Sequence, residues 1–221
     1  MSVVGAIMVP HPPIILPEVG RGEEQKIAAS DRAYRKAAAL AAELRPDTIV
    51  LSSPHSVMYA DYFHISPGES AKGDMRQFRA PQLRFRADYD AAFTAALSAL
   101  AEREGFPAGT MGERSAELDH GTIIPLYYVN QFYTDYRLVR VGLSGLPLAD
   151  HYRLGRMIQQ TADKLGRRVL FIGSGDLSHK LLAEGPYGYA EEGPAYDERI
   201  MDVMGRAESR ETLAESAGSI P

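Results

Sequence analysis

Three apolar segments that each end at a histidine-bearing loop constrain the fold of this chain most. The segments are Val3–Val9, Ile49–Leu51 and Val169–Ile172, and the loops that follow them contain His11, His55 and His179. Short apolar runs bounded by Gly and Pro are typical of strands buried on both faces. In open α/β sheets, ligands bind just beyond the carboxyl ends of the strands. We therefore expect these histidines to meet at one edge of a sheet.

Amphipathic segments between the apolar runs predict helices. They cover 23–44, 88–104, 150–165 and 194–206, and a further strand is expected at 136–141. Strands that alternate with helices imply parallel pairing through right-handed crossovers. The prediction is an α/β fold: a single domain with a central, largely parallel sheet flanked by helices. Residues 59–65 are expected to form another strand, and residues 69–87 an irregular excursion with at most one short edge strand.

The segment from Thr122 to Val129 is compatible with a strand or a short helix, because Pro125 interrupts it. Asp119 is a residue type that caps helices, which favours a helix beginning near His120.

Composition and charge exclude several classes of function. The 221-residue chain has a net charge of −5, which gives no electrostatic support for binding nucleic acid. It contains no cysteine, which excludes disulfides and thiolate ligands. No apolar run approaches the ~20 residues needed to span a bilayer, and no basic residue precedes the first apolar run, as a secretory signal would require. We expect a cytoplasmic protein with no membrane partner that can form a homo-oligomer.

The histidines have competing interpretations when only their neighbours are considered. His11 between prolines and His55 after Pro54 lie in stiff loops, which suits metal ligation, although Pro-His pairs also simply end strands. His179 follows Asp176 by three positions, as in a carboxylate that orients an imidazole for acid–base work or in an ordinary Asp turn. His120 is either a functional group or a neighbour of the Asp119 cap.

Four short fragments carry a resemblance to a known family. They are Val9-Pro10-His11-Pro12-Pro13, Ser52-Ser53-Pro54-His55, Leu118-Asp119-His120-Gly121 and Gly175-Asp176-Leu177-Ser178-His179. In this order they resemble the class III extradiol ring-cleavage dioxygenase superfamily (LigB-like), in particular the LigB/Memo-like half of the AmmeMemoRadiSam system protein A group. The resemblance covers most of the chain.

The resemblance implies a LigB-like domain over residues 1–221 that holds one non-haem metal, Fe(II) first, with Zn or Cu as alternatives. It implies that His11 and His55 are the metal ligands and that His120 and His179 are pocket residues. In such a site His179 accepts a proton from a catechol-like substrate, and His120 donates one during the reaction with O2. Asp176 matches a pocket carboxylate of the Memo-like branch.

The sequence departs from the family pattern at the third metal ligand. That ligand is a carboxylate or a cysteine near the C-terminus, and neither Glu211 nor Glu215 stands in a matching context. We therefore expect the domain to lack its C-terminal segment. One alternative function is a Memo-like metal-binding or modification-system component that cleaves no ring. Another is a metal-dependent hydrolase.

Overall fold

The strands and helices follow the predicted alternation. In this computed structural model, residues 2–112, 114 and 117–206 are described. The strands are β1 (Val3–Val9), β2 (Thr48–Ser53), β3 (Phe63–His64), β4 (Ser70–Met75), β5 (Ala80–Asp88), β6 (Ala108–Gly109), β7 (Arg137–Gly142) and β8 (Val169–Ser174). The helices are α1 (Pro17–Gly20), α2 (Ala28–Leu44), α3 (Ala91–Arg103), α4 (His120–Val129), α5 (Leu148–Leu165) and α6 (Glu192–Gly205).

The central sheet has four parallel strands in the order β1-β8-β2-β7. Its register places Val9 beside Ser174, and Ser53 beside Gly142, so these strands end at a common edge. This arrangement confirms the predicted α/β class with a central parallel sheet. The residues that follow β1 and β2 include His11 and His55, which therefore leave the sheet at the same edge.

Helices cover both faces of the sheet. Along β2, Ile49 and Leu51 belong to a core that includes residues of α2 and α4. Val50, between them, belongs to a second core formed with α3 and α5. Strands buried on both faces read as continuous apolar runs, which is why β2 and β8 were predicted closely from the sequence.

The segment from 69 to 87 is a regular hairpin, so the prediction of an irregular excursion is wrong. β4 and β5 pair antiparallel, with Lys72 opposite Arg86 and Asp74 opposite Arg84. The apolar side chains Ala71 and Met75 alternate with these charged residues and are buried in the core. The period-two pattern of a half-buried strand was therefore present in the sequence. The predicted strand at 59–65 is reduced to the two residues of β3.

The chain divides into two compact units, Met1–Gly175 and Asp176–Pro221. In the second unit, α6 begins at Glu192, and Leu181 forms a bridge with Tyr189. Glu211 and Glu215, considered as the third metal ligand, lie outside the described residues. Within the described part of the chain, every helix is too short or too polar to cross a membrane.

Candidate metal centre

His11 is buried and its ring orientation is fixed by a hydrogen-bond relay. The hydroxyl of Ser174 donates to the carbonyl oxygen of Gly121 over 2.5 Å. Its oxygen is then free to accept from His11 Nδ1, which lies 2.9 Å away. His11 Nδ1 therefore carries the proton, and Nε2 keeps a lone pair. A ring fixed through its other nitrogen is the usual arrangement of a metal-binding histidine.

The lone pair of His11 points towards His55. The two Nε2 atoms are 3.1 Å apart, and the rings meet edge to face with centroids 4.9 Å apart. His55 belongs to the loop after β2, and its backbone N–H donates to the Ser53 hydroxyl over 3.1 Å. Two imidazoles from separate strand ends thus present nitrogens to one point.

His120 completes a cluster of three imidazoles. Its ring lies 4.0 Å from that of His55 and 5.4 Å from that of His11, centroid to centroid. One nitrogen from each ring lies within 4.8 Å of the other two. The side-chain amide of Gln77 is 3.4 Å from His120 Nδ1, and the ring edge contacts Phe78 at 5.0 Å.

Asp119 connects the loop of His55 to the helix that carries His120. As the N-cap of α4 it accepts hydrogen bonds from the Thr122 N–H at 2.9 Å and the Thr122 hydroxyl at 2.9 Å. It also accepts from the hydroxyls of Ser53 at 2.7 Å and Ser56 at 3.0 Å. A single carboxylate therefore fixes the loop of His55 relative to the helix that carries His120. The predicted helix beginning near His120 is confirmed.

The Asp119 carboxylate stays ionised although it is largely buried. Burial raises the pKa of this carboxyl, but the Ser53 hydrogen bond opposes it. The charge of Arg140 and the hydrogen bonds from Thr122 and Ser56 act in the same direction, and the pKa lies below its ordinary value.

A pair of stacked tyrosines, one from α2 and one from α4, supports the loop of His11. Tyr34 of α2 donates its hydroxyl to the Pro10 carbonyl oxygen over 2.6 Å. Its ring stacks on Tyr128 of α4, with centroids 4.2 Å apart and planes 18° from parallel. Tyr128 in turn donates to Asp31 over 2.8 Å. The helices that flank the sheet thus fix the backbone beside His11.

The donor set fits a divalent transition metal. Two nitrogens, each about 2.1 Å from one ion, are about 3.0–3.4 Å apart at octahedral and tetrahedral angles. The 3.1 Å between His11 Nε2 and His55 Nε2 lies in this range. Neutral imidazoles suit iron, zinc and copper. The chemistry of the residues thus agrees with a metal centre without selecting the metal.

A cavity of about 1070 Å³ opens beside two of these histidines, His55 and His120, and its wall also includes Arg140. This volume is slightly above the range for small-molecule sites, about 300–1,000 Å³. The site thus has room for a small-molecule ligand.

Asp176 and His179 belong to the second unit. His179 Nε2 lies 3.3 Å from the Asp176 carboxylate, and the ring contacts Tyr187 at 4.9 Å between centroids. The pairing of a carboxylate with an imidazole three residues on agrees with the spacing argument. The convergence of His179 and Asp176 on the cavity stays a prediction.

The structure brings together three of the four predicted histidines and adds residues that sequence reasoning missed. These are Ser174, Gln77 and Arg140. The last had a signal in the sequence, because it is a charged residue inside the apolar strand Arg137–Gly142. Ser174 is the last residue of β8 and Gln77 lies in a short 3₁₀ helix, and only three-dimensional contacts identify them. His64 is buried outside this cluster, and its Nδ1 lies 2.9 Å from the Met111 carbonyl oxygen.

Comparison with known proteins finds relatives that include two dioxygenases. The chain is 34% identical over 211 residues to Protein CA_C1420 of Clostridium acetobutylicum, covering 92% of this chain and 45% of that protein. It is 25% identical over 238 residues to the 2-aminophenol 1,6-dioxygenase beta subunit of a Pseudomonas species, covering 96% of this chain and 77% of that subunit.

A third relative is the 2,3-dihydroxyphenylpropionate/2,3-dihydroxicinnamic acid 1,2-dioxygenase of Rhodococcus jostii, 29% identical over 175 residues. That match covers 74% of this chain and 54% of the relative. The chain therefore spans about half the length of the Clostridium and Rhodococcus relatives. The model of one family, the catalytic LigB subunit of aromatic ring-opening dioxygenase, matches residues 5–215. Together with the fold and the histidine cluster, this match shows that the chain belongs to the LigB family.

Proposed function

We propose that this chain carries the active site of an extradiol ring-cleaving dioxygenase, with His11 and His55 holding Fe(II) and a catechol-like aromatic as the substrate with O2. The observation that supports this most directly is the 3.1 Å approach of two imidazole nitrogens, one of them with its tautomer fixed by Ser174. The family match and the dioxygenase relatives supply the reaction class.

The residues of the chain have separable roles in this proposal. His11 and His55 donate neutral nitrogen lone pairs, and Ser174 keeps the His11 proton on Nδ1, away from the metal. A bound Fe(II) would supply coordination of the substrate oxygens and activation of O2. The cavity beside His55 and His120 would hold the aromatic ring next to these two histidines.

His120 and His179 are the proposed proton carriers. The Gln77 amide nitrogen faces His120 Nδ1 at 3.4 Å and can only donate, so the proton of a neutral His120 ring resides on Nε2. From there it is available to an oxygen of the reacting substrate. We propose that His179, paired with Asp176 at 3.3 Å, accepts a proton from the substrate hydroxyl.

Anaerobic loading with Fe(II), followed by oxygen uptake with a panel of catechols and aminophenols, tests the proposed activity. We expect uptake that depends on both iron and substrate, with a ring-opened product in the absorption spectrum. The variant His120→Gln should lower turnover by about 100-fold or more, because general acid–base catalysis typically contributes that much. Iron bound without uptake across the panel rejects the dioxygenase and favours the Memo-like alternative.

The hydrolase alternative rests on a specific feature of the cluster. Three imidazoles are the protein ligands of some catalytic zinc sites, with water as the fourth ligand, and His120 lies within ligand distance of His11 and His55. This alternative predicts zinc in the purified protein and ester cleavage without O2. Metal analysis, followed by ester hydrolysis under argon, separates the two functions.

We also propose that the chain works within an oligomer of its own copies. The Pseudomonas relative is named as a beta subunit, which supports assembly in this family. Light scattering coupled to size-exclusion chromatography tests this, because a mass equal to the 24.2 kDa chain would contradict it.

A further inference from the structure

Asp197 lies inside α6 but makes a hydrogen bond to a different segment of the second unit. Its Oδ1 accepts from the Ser178 backbone N–H over 2.7 Å. Ser178 directly precedes His179, in the loop that also holds Asp176. Hydrogen bonds to a carboxylate are roughly twice as strong as those between neutral groups. Helix α6 therefore holds this loop one residue before the imidazole.

The same face of α6 contacts the loop one residue after His179. Gly193 is buried and lies one helical turn before Asp197, so the two residues share a face. A Cβ atom at Gly193 would lie 2.5 Å from the Lys180 carbonyl oxygen and 2.8 Å from the Ser178 hydroxyl. No side chain fits in this space, and the backbone of the helix lies directly against the loop.

The backbone on both sides of His179 is fixed by hydrogen bonds. The Lys180 N–H donates to the Ser178 hydroxyl over 3.1 Å, and the Lys180 carbonyl oxygen accepts from the Ala190 N–H over 3.2 Å. The His179 side chain, in contrast, is 48% exposed. A reactive side chain works best when the residues around it keep it in one geometry. The loop thus presents an accessible imidazole on a held backbone.

Asp202 shows what an ordinary surface carboxylate of α6 does. It pairs with Arg199 at 3.3 Å and also with Arg206, which are residues of the helix and its C-cap. Exposed pairs of this kind contribute little to stability. Asp197 is half-buried and is bonded to the loop instead. Its contact therefore serves the loop that carries His179.

We propose that Asp197 is a positioning residue for His179. By accepting from the Ser178 N–H, it keeps the imidazole 3.3 Å from the Asp176 carboxylate and beside the Tyr187 ring, at 4.9 Å between centroids. The proposal rests on the proposed function, since it deepens the role of His179 as the proton acceptor. Asp197 acts through the loop and takes no proton itself.

Amide hydrogen exchange and histidine NMR of the full chain test the proposal without metal or turnover. In the wild type, the Ser178 amide should exchange at least about 10-fold more slowly than in an unstructured peptide. In Asp197→Ala we expect exchange about 10- to 100-fold faster than in the wild type, as the loss of a charge-assisted hydrogen bond implies. The nuclear Overhauser contact between the His179 and Tyr187 rings should also weaken.

An unprotected Ser178 amide in the wild type would overturn the proposal, whether or not the variants fold. Unchanged exchange in a folded Asp197→Ala would do the same. Asp197→Asn keeps an oxygen acceptor and should restore most of the protection and the ring contact. Asp202→Ala is the matched control, because its carboxylate lies on the same helix and pairs within it. Equal loss of Ser178 protection in Asp202→Ala would assign the effect to fraying of α6 and contradict the positioning role.

Oxygen uptake by the Fe(II)-loaded protein separates this inference from the proposed function. With an active wild type, kcat of Asp197→Ala should fall by about 10-fold or more at equal iron content, and Asp197→Asn should recover most of it. A protected Ser178 amide that depends on Asp197, without uptake in the wild type, supports the positioning of His179 and rejects the dioxygenase. Uptake with equal kcat in the wild type and Asp197→Ala contradicts the positioning role and leaves the dioxygenase supported.

Discussion

At the scale of single residues, the site depends on where one proton resides. The Ser174 hydroxyl donates to Gly121, so it can only accept from His11 Nδ1. The tautomer that leaves Nε2 unprotonated is the one that a metal requires.

Ser174→Ala removes the acceptor that fixes His11. We expect metal affinity to fall by about 10- to 100-fold, the usual effect of losing a partner of a metal-binding histidine. The measurement is competition for Zn(II) against a fluorescent chelator. Ser98→Ala is the matched control, because the Ser98 hydroxyl is also buried but has no hydrogen-bond partner among the described residues. Equal affinities in the two variants would contradict the relay.

Asp31 makes part of the stability depend on pH. The hydrogen bond from Arg35 lowers the pKa of this carboxyl, burial opposes it, and the Tyr128 hydroxyl lowers it further. A lowered folded-state pKa stabilises the protein above the ordinary value of 3.8, and the stabilisation is lost as pH falls through the folded-state pKa.

The comparison of wild type with Asp31→Asn isolates that contribution. The side chain is part-exposed, so we expect a difference in unfolding free energy of less than about 1 kcal/mol at pH 6, shrinking towards pH 3. Urea unfolding at both pH values measures it. A difference in unfolding free energy that grows as the pH falls would contradict a lowered pKa of Asp31.

Only part of this residue-scale chemistry is visible in the sequence. The stiff loops of His11 and His55 follow from their prolines, and Asp119 could be recognised as a cap. Ser174 could not, because its role comes from a carbonyl 53 residues away in the chain.

At the scale of secondary structure, capping of α4 is linked to the position of His55. Asp119→Ala removes an N-cap and leaves the hydroxyls of Ser53 and Ser56 without their acceptor. We expect a loss of about 2–4 kcal/mol in unfolding free energy together with weaker metal binding. Urea unfolding and chelator competition measure the two effects.

Asp90→Ala is the control for that prediction. Asp90 caps α3 by accepting from Phe93 N–H at 3.0 Å, and it accepts from the Thr48 hydroxyl at 2.6 Å. Its partner Thr48 is the first residue of β2, at the opposite end of that strand from the loop of His55. We expect Asp90→Ala to lose a similar amount of stability while its metal affinity stays unchanged. An equal loss of metal affinity in Asp90→Ala and Asp119→Ala would show that lost stability, and not the position of His55, weakens metal binding.

Tyr34→Phe tests the support that α2 gives to the loop of His11. Loss of the hydrogen bond to the Pro10 carbonyl should cost about 1 kcal/mol and weaken metal binding. Tyr133→Phe removes a similar bond, from a tyrosine hydroxyl to the Pro46 carbonyl oxygen at 3.1 Å. It should cost a similar amount and leave metal binding unchanged. Chelator competition measures the metal affinity of both variants. Unchanged metal affinity in Tyr34→Phe would contradict the proposed support of the His11 loop by α2.

The strands and helices whose sequence follows one hydrophobic pattern throughout were predictable. β2 was predicted from its apolar run Ile49–Leu51, because the strand is buried on both faces, and it extends to Thr48–Ser53. The β4–β5 hairpin was missed because its alternation of charged and apolar residues is interrupted by Arg76–Phe78, a short 3₁₀ helix. A mixed pattern of this kind is easily taken for a loop.

At the scale of the whole molecule, parallel topology is what turns distant segments into one site. His11, His55 and His120 come from three parts of the chain, and the common edge of β1, β2 and β8 brings two of their loops together. Strand order was not predictable in detail, since β8 inserts between β1 and β2 only through long-range pairing. The convergence at one edge followed from the general behaviour of such sheets.

The most direct test is metal titration of the wild-type protein and of His11→Ala, His55→Ala and His151→Ala. Isothermal calorimetry with Zn(II) and, under argon, Fe(II) gives affinity and stoichiometry. We predict one ion per chain in the wild type and in His151→Ala, whose ring instead contacts Phe63 at 4.7 Å. Binding should weaken by at least about 100-fold in His11→Ala and His55→Ala, since each removes a ligand nitrogen. Unchanged affinity in either of these two variants would contradict the metal centre.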